Sequence, residues 1–540
     1  MTAVLVAAGL GVIPSTASAT EGPAGPVAPP GAAKARESAL QTFSSPADRT
    51  VRTGLPTGGN KAAGDHPGVS VALDARSHTA HGLELTTRIT GPDSALEVVV
   101  DWGDGKTEKK TIKGSGELFH SHAYAEVGEY RVKVTATDVA HAIAGSNDVL
   151  IMTIGSEFTP HAPTRLLDTR DGTGTEAGKV AARGTTRVKV RDNAKIPGDV
   201  RAVALNVTVT NTSLAGHITA WPGKGTERPD TSNINYVGGQ SVPNLVIVPV
   251  GTDGYVELYN AGWGAVDLIA DVTGYFTRTP SSGYTSLDPV RFVDTREGLG
   301  APRWQLAGQG VFTTQIGGLR GVPKGITAVA LNVTVTNPQQ LGHLSVFPAG
   351  GPVPKASSLN FAAGQTIANA VIVPVSAGGD ISVFNGAWGP ADVVVDVVGY
   401  YSKDSKAAFV PFTPHRMLDT RNPSSWFPGG RLPARGHISQ WVSGEAEGDE
   451  AYVLNTTVTE TTDSGFLSVA PSPFPWLVND DPNAPKPPRP GSSTLNWTAG
   501  RTVPNLVQAS AGEHGIINFW NQGWKDADLV VDVFGVYQNS

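Results

Sequence analysis

One hexapeptide occurs three times in this chain, and that recurrence limits the possible folds more than any other feature. Arg165-Leu166-Leu167-Asp168-Thr169-Arg170 returns as Arg291-Phe292-Val293-Asp294-Thr295-Arg296 and again as Arg416-Met417-Leu418-Asp419-Thr420-Arg421, at offsets of 126 and 125 residues. Other landmarks recur with it. Leu205-Asn206-Val207-Thr208 matches Leu331-Asn332-Val333-Thr334 and Leu454-Asn455-Thr456-Thr457. Asn235, Asn360 and Asn496 each precede a second asparagine, Asn244, Asn369 or Asn505, by nine residues. Asp271-Val272-Thr273-Gly274, Asp396-Val397-Val398-Gly399 and Asp532-Val533-Phe534-Gly535 close the units. A unit of this length is too long for a solenoid repeat, so each copy is expected to fold as a domain. Each copy holds about eight short runs of Val, Ile, Thr and aromatic residues between Gly, Pro and Asn, with no amphipathic helix. That spacing predicts three tandem antiparallel β-sandwich or jelly-roll-like domains at 156–279, 280–403 and 404–540. The third carries a proline-rich insertion, Pro471 to Pro490, read as an exposed loop around Asp480-Asp481.

Composition narrows the rest. The 540 residues include 64 Gly and 40 Pro, rich in turns but below what a disordered chain shows. A net charge of -7 removes the electrostatic case for nucleic acid or an anionic membrane. The absence of cysteine excludes disulfides, zinc-thiolate sites and thiol catalysis. Ala3 to Ile13 is apolar and too short to span a membrane, and Ala17-Ser18-Ala19 fits a signal-peptidase site. Residues 1–19 are therefore expected to be a signal peptide. Because no Lys or Arg precedes Lys34, its positive start is expected upstream of Met1. Residues 20–66, rich in Ala, Pro and Gly, read as a disordered linker with a helical turn or two near Lys34 to Thr42. No transmembrane anchor is expected.

From Val69 the texture changes to strands. Val98-Val99-Val100-Asp101-Trp102-Gly103-Asp104-Gly105 reads as a strand entering an Asp-Gly turn. His122-Ala123-Tyr124, Gly128-Glu129-Tyr130 and the alternating Tyr130 to Asp138 follow. Together these resemble the polycystic kidney disease (PKD) domain over about residues 67 to 155, which implies an immunoglobulin-like sandwich serving as a spacer or recognition module in secreted proteins. His122 falls on that family's structural H-x-Y position, so metal binding by His120 and His122 is not expected. The Asp101/Asp104 turn is open to calcium, although carboxylates in such turns more often accept backbone amides. The three repeats resemble an L-D-T-R repeat domain of secreted actinobacterial proteins, which implies export more than any particular chemistry. The fold class expected overall is all-β.

Residues kept in all three copies are either architecture or a binding site used three times. Asp271, Asp396 and Asp532 fall on apolar strands, where an unpaired buried charge costs several kcal/mol. The recurring arginines Arg170, Arg296 and Arg421 are the expected partners, pinning the first strand of each repeat to the last. The Asn-x-Thr sequons at Asn206, Asn332, Asn455 and Asn496 lie inside predicted strands and read as ladder-capping amides rather than glycan acceptors. The loop before each final strand holds Asn260 and Trp263, Asn385 and Trp388, or Asn521 and Trp524, with Asp267, Asp392 and Asp528 four residues beyond the Trp. A flat ring beside an amide and a carboxylate has the ingredients of a sugar site; the alternative is a Trp capping the open end of a sandwich.

No G-x-S-x-G, H-E-x-x-H or P-loop motif is present, and no segment is left over for a catalytic domain. No cofactor or metal is expected. The sequence predicts a secreted, extracellular or cell-wall-associated, non-catalytic binding protein that attaches through its repeats to an extracellular polysaccharide or cell-wall glycan. The alternatives are a structural surface or matrix protein without a small ligand, and a cryptic polysaccharide hydrolase.

Overall fold

Each repeat folds as the hydrophobic pattern requires: strands that alternate between two buried faces, laid into two four-stranded antiparallel sheets. The computed structural model describes residues 32–55, 68–423, 429–442, 448–477 and 485–540. The expected signal segment, most of the expected linker and the centre of the insertion with Asp480-Asp481 lie outside them. In the first repeat one sheet runs in the order Glu157–Asp168, Asp267–Thr277, Ala202–Thr210, Val242–Pro249. The facing sheet runs Thr185–Lys189, Tyr255–Asn260, Gly216–Trp221, Ile234–Tyr236. Apart from the consecutive pair Gly216–Trp221 and Ile234–Tyr236, successive strands alternate between the sheets in the jelly-roll order, and both other repeats reproduce it. Val203, Leu205, Val207, Leu268, Ala270 and Val272 from the first sheet meet Val188, Ile218, Val256 and Leu258 from the second, forming the repeat's own core.

The other face of the first sheet is equally dry, because the three repeats pack on one another. Ala202, Ala204, Leu245 and Ile247 join Ala328, Ala330, Ile372, Val453 and Leu506 in a separate core shared by all three copies. Its contacts run in a closed cycle. The aromatic near the start of each repeat stacks on the aromatic near the end of the next: Phe158 on Tyr401 at 4.2 Å, Tyr284 on Tyr537 at 4.4 Å and Phe409 against Phe276 at 4.8 Å. The amides follow the same rotation, Phe158 donating to Ser282 O, Tyr284 to Ala407 O and Phe409 to Ser156 O. The chain is thus a pseudo-threefold ring closed within one polypeptide. The closing glycine of each unit makes room for this collar: a Cβ on Gly274 would lie 2.0 Å from Phe158 and one on Gly399 2.1 Å from Tyr284.

The N-terminal region is an immunoglobulin-like sandwich of a four-stranded and a five-stranded sheet around Leu83, Val98, Val100, Trp102, Val132 and Val134. It begins earlier than the sequence pattern indicates. Gln41–Ser45 pairs with Ser70–Ser77, and Val51–Gly54 with Ile143–Met152, so residues read as linker form an edge strand of each sheet. Their own sequence buries little; partner strands and the bond from Ser45 Oγ to Asn147 Oδ1 (2.8 Å) supply what composition lacks. Before them the helix Ala32–Ala39 packs on the third repeat, with Ala35 in its core and Arg36 paired to Asp449. The sandwich sits on the aromatic end of the ring: Ala80 N donates to Gln538 Oε1 and Arg278 Nε to Thr153 O. Among the described residues no helix is long and apolar enough to cross a membrane.

Candidate functional site

The residues kept in every copy separate into those that build the ring and those that remain on its surface. The buried carboxylates have a partner other than the one expected. Antiparallel register places Arg165 opposite Asp271, Arg291 opposite Asp396 and Arg416 opposite Asp532. The guanidiniums grip these carboxylates with two bonds each: 2.9 and 3.3 Å for Arg165, 2.6 and 3.3 Å for Arg291, 2.8 and 3.2 Å for Arg416. Arg170, Arg296 and Arg421, expected in that role, lie two residues beyond the strand end. Each bends back onto the aspartate of its own motif, Asp168, Asp294 or Asp419. Asp168 also receives Arg165 Nη1 at 2.8 Å, so two arginines and two aspartates form one neutral cluster. The side-chain bond from Arg170 holds the Asp168 carboxyl below the usual carboxylate range, and Arg296 does the same for Asp294. Burial pushes the Asp271 carboxyl up, with Arg165 pulling against it.

The strand-borne asparagines join one repeat to another. Asn206 donates to Ser357 O, Asn332 to Ser493 O and Asn455 to Ser232 O, each crossing to the next repeat. Asn369, Asn505 and Asn244 return the bond, donating to the side-chain oxygens of Asn206, Asn332 and Asn455 at 3.1, 3.0 and 2.9 Å. The sequon amides at Asn206, Asn332 and Asn455 are buried seams between repeats, neither glycan acceptors nor caps on their own ladders.

Strand register sets the direction of the axis. Ala202 lies opposite Phe276 and Pro249 at the aromatic end, and Val209 opposite Val242 at the other. There the three copies surround an open cavity of about 770 Å³, lined by residues 237–242, 341–343, 360–367, 496–498 and 501–504 together with Asn235, with Asn360 and Asn496 among them. The Trp loops project at this same end, because Asp267, which follows the first loop, pairs with Thr210.

Within each loop the asparagine and the tryptophan part company. Asn260 is 0% exposed; its amide donates to Ala181 O and Gly264 O at 3.0 and 2.9 Å, and its oxygen accepts Gly262 N at 3.0 Å. Asn385 and Asn521 make the equivalent bonds. Asp267, Asp392 and Asp528 are buried as well, accepting Thr169, Thr295 and Thr420 hydroxyls at 2.9, 3.0 and 2.8 Å. All six are candidates for a sugar site by sequence; in the structure they shape the loop instead, since a turn of Gly and Asn must satisfy its buried backbone groups from within. Of the nine motif residues only the tryptophans remain outside. Trp263, Trp388 and Trp524 are 71%, 83% and 75% exposed, so none caps a core. Sequence reasoning missed their neighbours: the Arg183 guanidinium lies over Trp263 at 4.5 Å and that of Arg435 over Trp524 at 4.9 Å. In the second repeat Gln309 takes that place and donates to Gly386 O and Ala387 O.

In the N-terminal sandwich His122 stacks on Trp102 at 4.6 Å and bonds Asp104 Oδ2 at 2.9 Å, while Asp101 and Asp104 accept the amides of Gly103 and Lys106. These groups are structural partners of one another. Among the described residues no cluster of three His, Asp or Glu side chains is arranged to hold a metal ion.

No family model matches the chain, and no curated protein matches it in sequence. Among solved structures, a SusE-like protein aligns at 12% identity and a TM-score of 0.12, over 38% of this chain and 97% of that one. A structure of the Sulfolobus turreted icosahedral virus aligns at 11% identity and a TM-score of 0.15, over 71% of this chain and 90% of that one. PNGF-II aligns at 8% identity and a TM-score of 0.13, over 67% of this chain and 99% of that one.

Proposed function

We propose that the chain is a secreted, non-catalytic, multivalent protein that holds an extracellular polysaccharide or cell-wall glycan on the face bearing its three tryptophans. One observation carries this reading: Trp263, Trp388 and Trp524 stay 71–83% exposed at one end of the ring, while the asparagine and the aspartate of each loop motif are turned inward. An exposed indole contributes nothing to a core, and its face matches the apolar face of a pyranose. Three weak platforms on one rigid body add through effective concentration on a polymer, so no single site has to be strong. The N-terminal sandwich, whose motifs resemble a PKD domain, is anchored at the opposite end and serves as a spacer that keeps the Trp face clear. The repeats, resembling L-D-T-R domains of secreted proteins, supply the platform.

Retention on insoluble chitin, cellulose and peptidoglycan tests the reading. The full chain is expected to be retained on at least one of them, and a triple Trp263→Ala, Trp388→Ala, Trp524→Ala variant of unchanged melting temperature is expected to wash off. Retention absent throughout, or untouched by the triple change, overturns it. Release of soluble sugar would replace it with hydrolysis.

A further inference from the structure

The three tryptophan platforms are unequal, and their difference in charge points to the kind of glycan. In the first repeat two arginines lie on two rings: Arg183 over Trp263 at 4.5 Å, and Arg228 over Tyr259 at 3.9 Å. Tyr259 immediately precedes Asn260, so both rings belong to one strand end and its loop. His217 feels both arginines: burial, and after it the charges of Arg183, Arg228 and Arg416, hold its imidazole below the ordinary range.

The third repeat repeats the arrangement with different residues. Arg435 lies over Trp524 at 4.9 Å and Arg489 over Trp520 at 5.2 Å. Both guanidiniums donate to the single oxygen Gln522 Oε1, at 3.3 and 3.4 Å. Lys486 adds its charge beside His437, which stacks on Trp520 at 4.4 Å. The nearby carboxylates of Asp463 and Asp526 accept Trp524 N and Ala434 N, each at 2.8 Å, rather than pairing with these arginines. Among the described residues none of Arg183, Arg228, Arg435 and Arg489 forms an ion pair. Among the described residues no arginine lies over Phe384 or Trp388 in the second repeat, where Gln309 stands in the place of Arg183.

In the third repeat two guanidiniums converge on one amide oxygen, and in the first two lie over neighbouring rings of one strand end; without an ion-paired carboxylate such charges repel each other, and an anion between them gives relief. The net charge of -7 makes this local excess stand against the chain's overall sign. We propose that repeats 1 and 3 take acidic sugar units, a pyranose carrying a carboxylate or a sulfate, with the anion held by Arg183 and Arg228 or by Arg435 and Arg489 and the ring on the open face of Trp263 or Trp524. Repeat 2 takes a neutral unit on Trp388. This rests on the glycan reading above and specifies its chemistry.

Affinity electrophoresis of the full chain in gels containing polygalacturonate, dextran sulfate, neutral dextran or poly-glutamate separates the possibilities. Charge-assisted bonds to two arginines predict binding to polygalacturonate or dextran sulfate at least about tenfold tighter than to dextran. Whichever of the two retards the chain more identifies carboxylate or sulfate. Arg183→Gln, Arg228→Gln, Arg435→Gln and Arg489→Gln together are expected to erase the preference, while Lys355→Gln in the second repeat leaves it intact. Equal retardation by dextran, a preference that survives the quadruple change, or equal retardation by poly-glutamate overturns the acidic-sugar proposal. If dextran binding persists and is lost with the three tryptophans, the glycan reading stands without it. If none of these polymers retards the chain, the acidic-sugar proposal falls; the glycan reading falls with it only if retention on chitin, cellulose and peptidoglycan is absent as well.

Discussion

The two ends of the three-repeat ring are made from the same strands and have opposite characters. At one end Phe158, Phe276, Tyr284, Tyr401, Phe409 and Tyr537 are all at most 1% exposed, interlocked across the repeats and covered by the N-terminal sandwich. At the other end the strands open around a cavity, and each repeat sends out an exposed tryptophan. The comparison shows how a repeated motif divides its labour. Aromatic residues at the collar hold the ring together, and aromatic residues on the rim leave its stability almost untouched.

Substitutions break this comparison in a definite order. The largest effect is expected at the collar: Phe409→Ala removes a fully buried ring shared by two repeats and should cost about 3–5 kcal/mol, read as a fall in the denaturation midpoint. Close behind comes Arg165→Ala, which leaves Asp271 and Asp168, both 1% exposed, with a buried charge to rebalance; a loss of about 3 kcal/mol is expected in the same measurement. Arg170→Ala, in the same motif, should cost about 1 kcal/mol or less, since its side chain is 44% exposed and Asp168 keeps Arg165. Equal losses for the two arginines would refute the assignment of partners.

Acid sharpens the point. Asp168 and Asp294 titrate below the usual range, so the stability they add is present at neutral pH and lost as pH falls through their lowered values. In Arg165→Ala the abandoned Asp271 titrates above its ordinary value, so that variant gains stability as its carboxylate protonates. The difference in melting temperature between wild type and Arg165→Ala should therefore narrow between pH 7 and pH 4; a constant or widening gap would contradict the cluster. The smallest effect is expected on the rim, where Trp388→Ala should change stability by under about 0.5 kcal/mol in chemical denaturation.

Much of this architecture is legible in the sequence. The period, the strand alternation and the closing motif define three all-β domains, because burial on both faces of a sheet leaves a plain apolar pattern. The pairing of charges is less legible: Arg165 and Arg170 recur with equal fidelity, and only the strand register, with its bulge between Arg165 and Leu167, puts the first opposite Asp271. Asn206 and Asn369 recur within repeats, yet their bond runs between repeats, a relation no spacing along the chain encodes. Residues 41–54 read as linker since short edge strands draw their order from neighbours. At the candidate site the sequence marks the tryptophans but hides the inward turn of Asn260 and Asp267, because polar residues in a glycine-rich loop look alike whether they serve solvent or backbone.

The closure of the ring within one polypeptide has a consequence for how such a surface can change. In an assembly of three identical subunits every substitution is written three times, and the assembly comes apart on dilution. Here one position can be edited alone, as Gln309 stands where the other copies have Arg183 and Arg435, and the number of platforms stays at three at any concentration. The molecule keeps the geometry of a trimer while its three faces are free to become different readers of the same polymer.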